Sequence, residues 1–409
     1  MIQLQLVDER LLHAVNIQLP ASKSISNRLL IINKIADSNF AIDNLSDADD
    51  TQVLKRLLES DDKDVNCGLG GTSIRFFLAY CYMINREVIL YGEEALNKRP
   101  IGPLVDALRQ LGASINYVGN EGFPPVHLKA SEKKSNEIKF DSNISSQFVS
   151  ALLMIAPALP NGLVIHLPSD QVSLAYIEMT IALMRLYGIE VESAMNKISV
   201  RHQKYIPITH RVSADWSAVI FWIGFLAIAG KGTIVINDLK VDNIQGDEAM
   251  LSWINDFGIT AQISEDAIVF EKKDLPFKTE FYYNLINNPD LAQPLAVIGA
   301  ALGIKTTLTG LSTLKHKETD RISAISNELK KCGVNCNYTN EVLEINGKIN
   351  ITSLSDIVFD TYNDHRMAMS LAMLSATGEK INLNNPEVVS KSYPQFFEEL
   401  KKFCVITEK

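Results

Sequence analysis

Hydrophobic positions along the chain keep switching between a helical and an alternating period. A polar cluster opens an apolar run at helical spacing, a Gly or polar break ends it, and a short β-rich run follows. The pattern occurs at Ser22-Lys23-Ser24-Ile25-Ser26-Asn27-Arg28, followed by Phe40-Ala41-Ile42. It recurs at Gly70-Gly71-Thr72-Ser73-Ile74-Arg75 before Val88-Ile89-Leu90, and at Ser145-Ser146-Gln147 before Leu163-Val164-Ile165. Further along it starts at Asp215-Trp216-Ser217, Asn288-Pro289-Asp290 and Asn363-Asp364-His365-Arg366, with runs at 233–236, 306–308 and 381–383. A second family of helices is expected to start near Asp49, Arg99, Ser173, Gly246, Lys317 and Lys391. Four of these end in an apolar pair followed by Gly112, Gly188, Gly258 or Gly333, spaced 76, 70 and 75 residues apart. Glycine there suits a left-handed helix C-cap, and so long a period in both helix families marks an internal repeat rather than generic alternation.

Six βαβ-like units in 409 residues predict an α/β protein of two domains with three units each. The seam is expected between Gln203 and Ser213, around Pro207. The N-terminal run Met1 to Val7 reads as a strand, with neither the basic region nor the cleavage site of a signal peptide. It precedes the first unit and is expected to pair with the C-terminal half. The domains are therefore expected to be 1–19 plus 214–409, discontinuous, and 20–213, inserted.

Composition narrows the function classes. The hydrophobic fraction of 46% and charged fraction of 21% are ordinary for a globular protein, and no apolar run is long enough to span a membrane. A net charge of −9 argues against a nucleic-acid partner, yet it leaves room for small anions, because nearby charges and dipoles set a pocket's field. The five cysteines suit a reducing cytoplasm, and Cys332 and Cys336 have no second pair or nearby histidine to complete a zinc site.

The candidate chemistry gathers at the helix starts. A helix N-terminus offers unpaired N–H groups and about half a positive charge, so it favours anions. If the helices of a domain run parallel, their N-termini converge, and two such faces would form an anion-binding cleft between domains. Lys315-His316-Lys317-Glu318-Thr319-Asp320-Arg321 is the densest charged stretch. Alone it reads as a solvated helix start, as Lys23 to Arg28 reads as a solvated face and Ser145 or Asp290 as an N-cap. Gly68 to Thr72 resembles a phosphate-cradling loop, but no Gly-Lys-[Ser/Thr] follows as in a nucleotide P-loop. His365-Arg366 puts a basic pair at a helix start, against the dipole, which points to an anion nearby.

Taken in order, these stretches resemble the 5-enolpyruvylshikimate-3-phosphate synthase family of enolpyruvyl transferases. The resemblance rests on Leu19 to Arg28, Gly70 to Arg75, Lys98-Arg99-Pro100-Ile101-Gly102, Ser145-Ser146-Gln147, Lys317 to Arg321, Tyr362 to Met369 and Lys391-Ser392-Tyr393-Pro394. It implies two similar domains of three βαβαββ units each, with helix N-termini facing an interdomain cleft. It also implies transfer of the enolpyruvyl group of phosphoenolpyruvate to the 5-hydroxyl of shikimate 3-phosphate, releasing phosphate. No cofactor, no metal, no membrane and no nucleic acid are implied, and a cytoplasmic monomer is expected. By resemblance, Lys23, Ser24, Arg28, Ser145, Ser146, Gln147, Ser173, Tyr176, Asp290, Thr313 and Lys317 contact shikimate 3-phosphate. Lys23, Gly71, Arg99, Gln147, Arg321, Arg366 and Lys391 hold phosphoenolpyruvate. The catalytic set is Lys23, Asp290, Glu318 and His365, with Asp290 and Glu318 as the acid–base pair. The chain departs from the family at Leu69, where Asn is usual, at Thr313, where many members have Asn, and at Phe76, where many have Pro.

Two rivals are set against this reading. The related UDP-N-acetylglucosamine enolpyruvyl transferase has Lys-Asn at its start motif and a loop cysteine; here Ser24 follows Lys23, and no cysteine lies between Cys81 and Cys332. A non-catalytic anion-binding relative is expected to have lost an acid–base carboxylate or a cation, yet Asp290, Glu318, Lys23 and Arg366 are all present.

Overall fold

The computed structural model describes residues 1–6, 13–37, 40–140, 145–168, 174–194, 196–275 and 278–409. The chain forms two units, Met1–Pro20 with Ser213–Lys409, and Ala21–Val212. One repeat shows the common plan. Strand Glu280–Asn284 pairs in parallel with Lys305–Thr309. Strand Val342–Asn346 adds antiparallel to the latter, with Asn335–Tyr338 at the edge. Helices Ala292–Leu302 and Arg321–Lys331 fill the two connections, giving βαβαββ. A parallel pair needs such a crossover, whereas the antiparallel pair closes with a tight turn.

The first unit completes its other two repeats with strands from the chain start. Ile2–Leu6 lies antiparallel between Ile381–Leu383 and Cys404–Glu408, where the last strand of a repeat belongs. Val15–Ile17 pairs in parallel with Thr233–Asn237 as a first strand. The chain then leaves for Ala21–Val212 and returns at Ser213 to form the next helix of that same repeat, Trp216–Ala229. In the second unit, two sheets have four strands, led by Asp64–Asn66 and Glu137–Lys139. The remaining repeat pairs only Ile42–Asp43 with His210–Arg211. Its second helix ends at Glu59 and the next strand starts at Asp64, which leaves no room for a hairpin.

Trp216–Ala229 is apolar on every side and buried along nearly its whole length, as a central core helix must be. Its Trp222 ring lies 5.5 Å from Phe396, and Phe225 lies 5.2 Å from Phe403. The repeat-marking glycines all take left-handed backbone, with φ of 102° at Gly112, 79° at Gly188, 71° at Gly258 and 78° at Gly333.

Several helix starts differ from the sequence expectation. The region after Gly246 is two 3₁₀ segments, Gly246–Ser252 and Ile254–Phe257, rather than one α-helix. Its Glu248 carboxylate is drawn aside to accept the Asp242 and Asn243 amides. The helix expected at Lys317 begins at Arg321, because Asp320 is the N-cap and accepts the Ser323 amide. The three basic residues before it would oppose the dipole if they were helical. The helix expected near Arg99 begins at Gly102, and Lys391 closes a 3₁₀ turn ahead of helix Phe396–Leu400.

Helix Ala292–Leu302 is held tightly against its sheet at Gly299, where a Cβ would lie 2.1 Å from Thr306 Oγ1 and 3.0 Å from Thr306 Cβ. Thr306 is buried and its hydroxyl donates to the Ile304 carbonyl at 2.9 Å, so it cannot swing away cheaply. Gly299→Ala gains helix propensity of up to about 1 kcal/mol. Overpacking opposes this, and a net loss of about 1–3 kcal/mol is expected in urea unfolding. A stabilised variant would contradict the close packing.

Candidate active site

In the Ala21–Val212 unit, three helix starts carry the polar groups. Ser22 caps helix Lys23–Ile35, and Lys23 in its first turn reaches the buried Asp50 carboxylate at 3.2 Å. One turn later Arg28 is 2% exposed. Its guanidinium donates to Thr180 Oγ1 at 2.7 Å, Ser150 Oγ at 3.0 Å and the Ser24 and Tyr176 carbonyls. The Phe76 and Tyr176 rings lie 5.4 and 5.9 Å from it and give this cation two aromatic neighbours. Burial pushes Arg28 down to about 10.

Gly71 opens helix Gly71–Met83 against Arg99; a Cβ there would sit 2.8 Å from the guanidinium. A larger residue there would have to push the end of that flexible side chain aside. Ser145 caps helix Ser146–Ile155 by accepting the Gln147 amide at 3.3 Å. The Gln147 side chain accepts from Arg75, which also donates to the Pro100 carbonyl and lies over the Phe148 ring. Ser146 is buried in the first turn. Leu69 is an exposed neighbour of this loop, and Ser173 lies outside the described residues.

In the other unit, sequence-distant charges meet around Arg321. Its guanidinium, 2% exposed, donates to Asp364 Oδ2 at 2.7 Å, Asp290 Oδ1 at 2.8 Å and Glu318 Oε2 at 2.8 Å. Burial disfavours its charge, but the Asp364, Glu318 and Asp290 carboxylates outweigh that and hold it well above the ordinary arginine value. Arg366 donates to Asp290 Oδ2 at 3.1 Å, Lys391 pairs with Glu318 Oε1 at 2.8 Å, and Lys317 lies 3.7 Å from Asp290 Oδ1. Thus Asp290, Lys317, Glu318, Arg321, Arg366 and Lys391 form one network. His365 is buried beside it, with Nδ1 3.9 Å from Asp364. Thr313 stands apart, its hydroxyl buried with no hydrogen-bond partner among the described residues.

The sequence reading missed Asp50, Asp247 and the pairing role of Asp364. Asp364 lay inside a quoted motif, and its N-cap position could have singled it out; it accepts the Arg366 amide at 2.8 Å. Asp247 sits buried in a 3₁₀ turn, bonded by Asn288 Nδ2 at 3.2 Å. Burial first, and the Asp290 charge second, push it up to about 6. Among the described residues no cluster is placed to hold a metal ion, and no helix is long and apolar enough to cross a membrane.

The Asp247 shift makes stability depend on pH. Its folded value lies above its unfolded one, so its contribution is fully present below pH 4 and is lost as pH rises toward about 6. Asp247→Asn removes the ionised form. It should therefore stabilise the protein by about 3 kcal/mol at pH 7.5, the equivalent of the shift, and by little at pH 4. Denaturant titration at both values checks this; an equal effect at the two would contradict it.

Comparison with known proteins places this arrangement. The family model for EPSP synthase (3-phosphoshikimate 1-carboxyvinyltransferase) matches residues 52–400. A 3-phosphoshikimate 1-carboxyvinyltransferase of Bacteroides fragilis strain YCH46 is 38% identical over 388 residues, covering 94% of each chain. One from Haemophilus influenzae strain Rd is 33% identical over 422 aligned residues, covering 95% of this chain and 96% of its own. The solved EPSP synthase of Acinetobacter baumannii shares the fold, with a TM-score of 0.78 at 20% identity and 100% of both chains covered. From the motifs, the repeat and these matches together, the chain belongs to the EPSP synthase family.

Proposed function

We propose that this chain transfers the enolpyruvyl group of phosphoenolpyruvate to the 5-hydroxyl of shikimate 3-phosphate by addition–elimination. The products are 5-enolpyruvylshikimate 3-phosphate and inorganic phosphate. The observation that carries the chemistry is the pair of carboxylates, Asp290 and Glu318, each 2.8 Å from the buried Arg321 guanidinium, with Arg366 and Lys391 beside them. In the addition, C3 of phosphoenolpyruvate gains a proton while the hydroxyl oxygen bonds C2 and loses its own. In the elimination, C3 gives a proton back and the C2–O bond to phosphate breaks. An acid and a base are needed in each direction, and two carboxyl groups on separate elements meet that need. His365, buried next to Asp364, completes the proposed catalytic set.

The cations divide between the substrates. Lys23, Ser24, Arg28, Ser145, Ser146, Gln147 and Tyr176 are our shikimate 3-phosphate set, with Asp290, Thr313 and Lys317 from the other unit. Lys23, Gly71, Arg99, Gln147, Arg321, Arg366 and Lys391 form the phosphoenolpyruvate set. Arginine forks match carboxylate and phosphate oxygens, and fixed cations favour the charge that develops on departing phosphate. Arg321 already holds three carboxylates, so its part in the phosphoenolpyruvate set is played together with Arg366 and Lys391. The reading includes a cytoplasmic monomer, and the five buried, free cysteines suit a reducing compartment.

Phosphate release from phosphoenolpyruvate tests the activity. Release is expected with shikimate 3-phosphate and not with UDP-N-acetylglucosamine; no release with the former would reject the proposal. Glu318→Gln separates chemistry from binding, because the amide keeps size and one acceptor but cannot exchange the proton. Turnover should fall roughly 10²–10⁴-fold, with shikimate 3-phosphate affinity held within a few-fold. Near-normal turnover, or full recovery at high phosphoenolpyruvate, would assign Glu318 to binding alone.

A further inference from the structure

Glu328 is an acid that no part of the proposed reaction uses. It lies two turns beyond Arg321 on helix Arg321–Lys331 and is fully buried. Its Oε1 accepts the Tyr362 hydroxyl at 2.9 Å; its Oε2 accepts Lys331 Nζ at 2.7 Å and the Asp360 amide at 3.2 Å. Asp360 Oδ1 in turn accepts the Tyr362 amide at 2.8 Å. The segment so gripped is unusual. Tyr362 and Asn363 are consecutive non-glycine residues in left-handed backbone, with φ of 51° and 53°. Each costs roughly 1–2 kcal/mol unless its surroundings impose it. Immediately afterwards come Asp364, the N-cap that pairs with Arg321, and Arg366, which pairs with Asp290.

Helix Arg321–Lys331 therefore holds this turn at two points, through Arg321 on Asp364 and through Glu328 on Tyr362 and Asp360. We propose that Glu328 is a positioning residue, which locks the left-handed Tyr362–Asn363 turn through the Tyr362 hydroxyl and so fixes where Arg366 points. Glu328 touches no substrate in this scheme. Asn363 Oδ1 accepts from Asn385 Nδ2 at 3.1 Å, so the turn is also tied on its far side and does not depend on Glu328 to exist. What depends on it is the setting of the turn against the helix that carries Arg321. Lys331, which also donates to the Val358 carbonyl, balances the buried carboxylate.

The proposal rests on the enolpyruvyl-transfer reading, and its test is built to fail separately. Tyr362→Phe removes one hydroxyl and nothing else. We expect the KM for phosphoenolpyruvate to rise about ten-fold, the scale of a small misplacement of a binding group, with shikimate 3-phosphate affinity within two-fold. A merely structural loss would lower the active fraction, and hence apparent kcat, while leaving KM alone. Glu328→Gln keeps size and one acceptor, and should fall between wild type and Glu328→Ala. The second arm needs no substrate: the ¹⁵N side-chain signals of Arg366 and Arg321 in the whole protein. In Tyr362→Phe the Arg366 signal should broaden or shift while that of Arg321 stays. Unchanged KM, or an unchanged Arg366 signal, overturns the proposal even if stability drops. A wild-type protein inactive with both substrates removes the transfer reading and leaves the Arg366 signal to decide the positioning.

Discussion

The Arg321 guanidinium meets three carboxylates, Glu318 from the turn just before it and Asp290 and Asp364 from distant parts of the chain. Each sits at or just before the start of a helical segment, so one side chain sets the mutual placement of three elements. Burying a charge is costly unless it is paired, and here pairing exceeds the penalty. The same logic makes the arrangement brittle. Loss of the guanidinium would leave three carboxylates facing one another with only Arg366, Lys317 and Lys391 to offset them, and breaking a buried pair typically costs about 3–5 kcal/mol. The carboxylates proposed for proton transfer are thus held by a group that also supports the fold.

The scaffold around that cation explains why the chemistry gathers where it does. Trp216–Ala229, Ala292–Leu302 and His365–Ala372 pack together in the core of their unit, the first bonded all round by apolar neighbours. Helices buried that completely carry charged side chains only at their starts, as at His365 and Arg366. At the N-terminal ends the backbone N–H groups are unpaired, and the side chains there must satisfy them or meet an anion. Asp215 and Asp364 do the first by accepting the Ser217 and Arg366 amides. The remaining residues of those turns are left to other chemistry.

Much of this was legible in the sequence for physical reasons. The repeat showed because the second helix of four units ends at the same left-handed glycine, as at Gly188 and Gly333. The pairing of Ile2–Leu6 with the C-terminal strands followed from a strand that preceded its first unit. Val15–Ile17 escaped notice because three residues carry no periodicity. The 3₁₀ turns after Gly246 escaped because Glu248 is diverted by backbone amides far too local for a hydrophobic pattern to register. Among site residues, those in charged clusters stood out, as at Lys317, Glu318 and Arg321. Asp50, Asp247 and Glu328 lie in sequence with no marked cluster of cations, and only the fold reveals what faces them.

The two units use one repeat for opposite electrostatic ends. Around Arg321 the neighbouring cations Lys317, Arg366 and Lys391 each face a carboxylate, so charge is balanced by pairwise contacts. Around Arg28 the partners are hydroxyls, carbonyls and aromatic faces, and no carboxylate pairs with it among the described residues. Neutral acceptors fix the guanidinium in place without cancelling its charge, which is why burial lowers its affinity for the proton to about 10 instead of raising it. A cation held this way retains its field for an arriving anion. A cation ringed by carboxylates spends its field on them and fixes their positions. The two buried arginines thus differ in the kind of partner each has, neutral acceptors at Arg28 and carboxylates at Arg321.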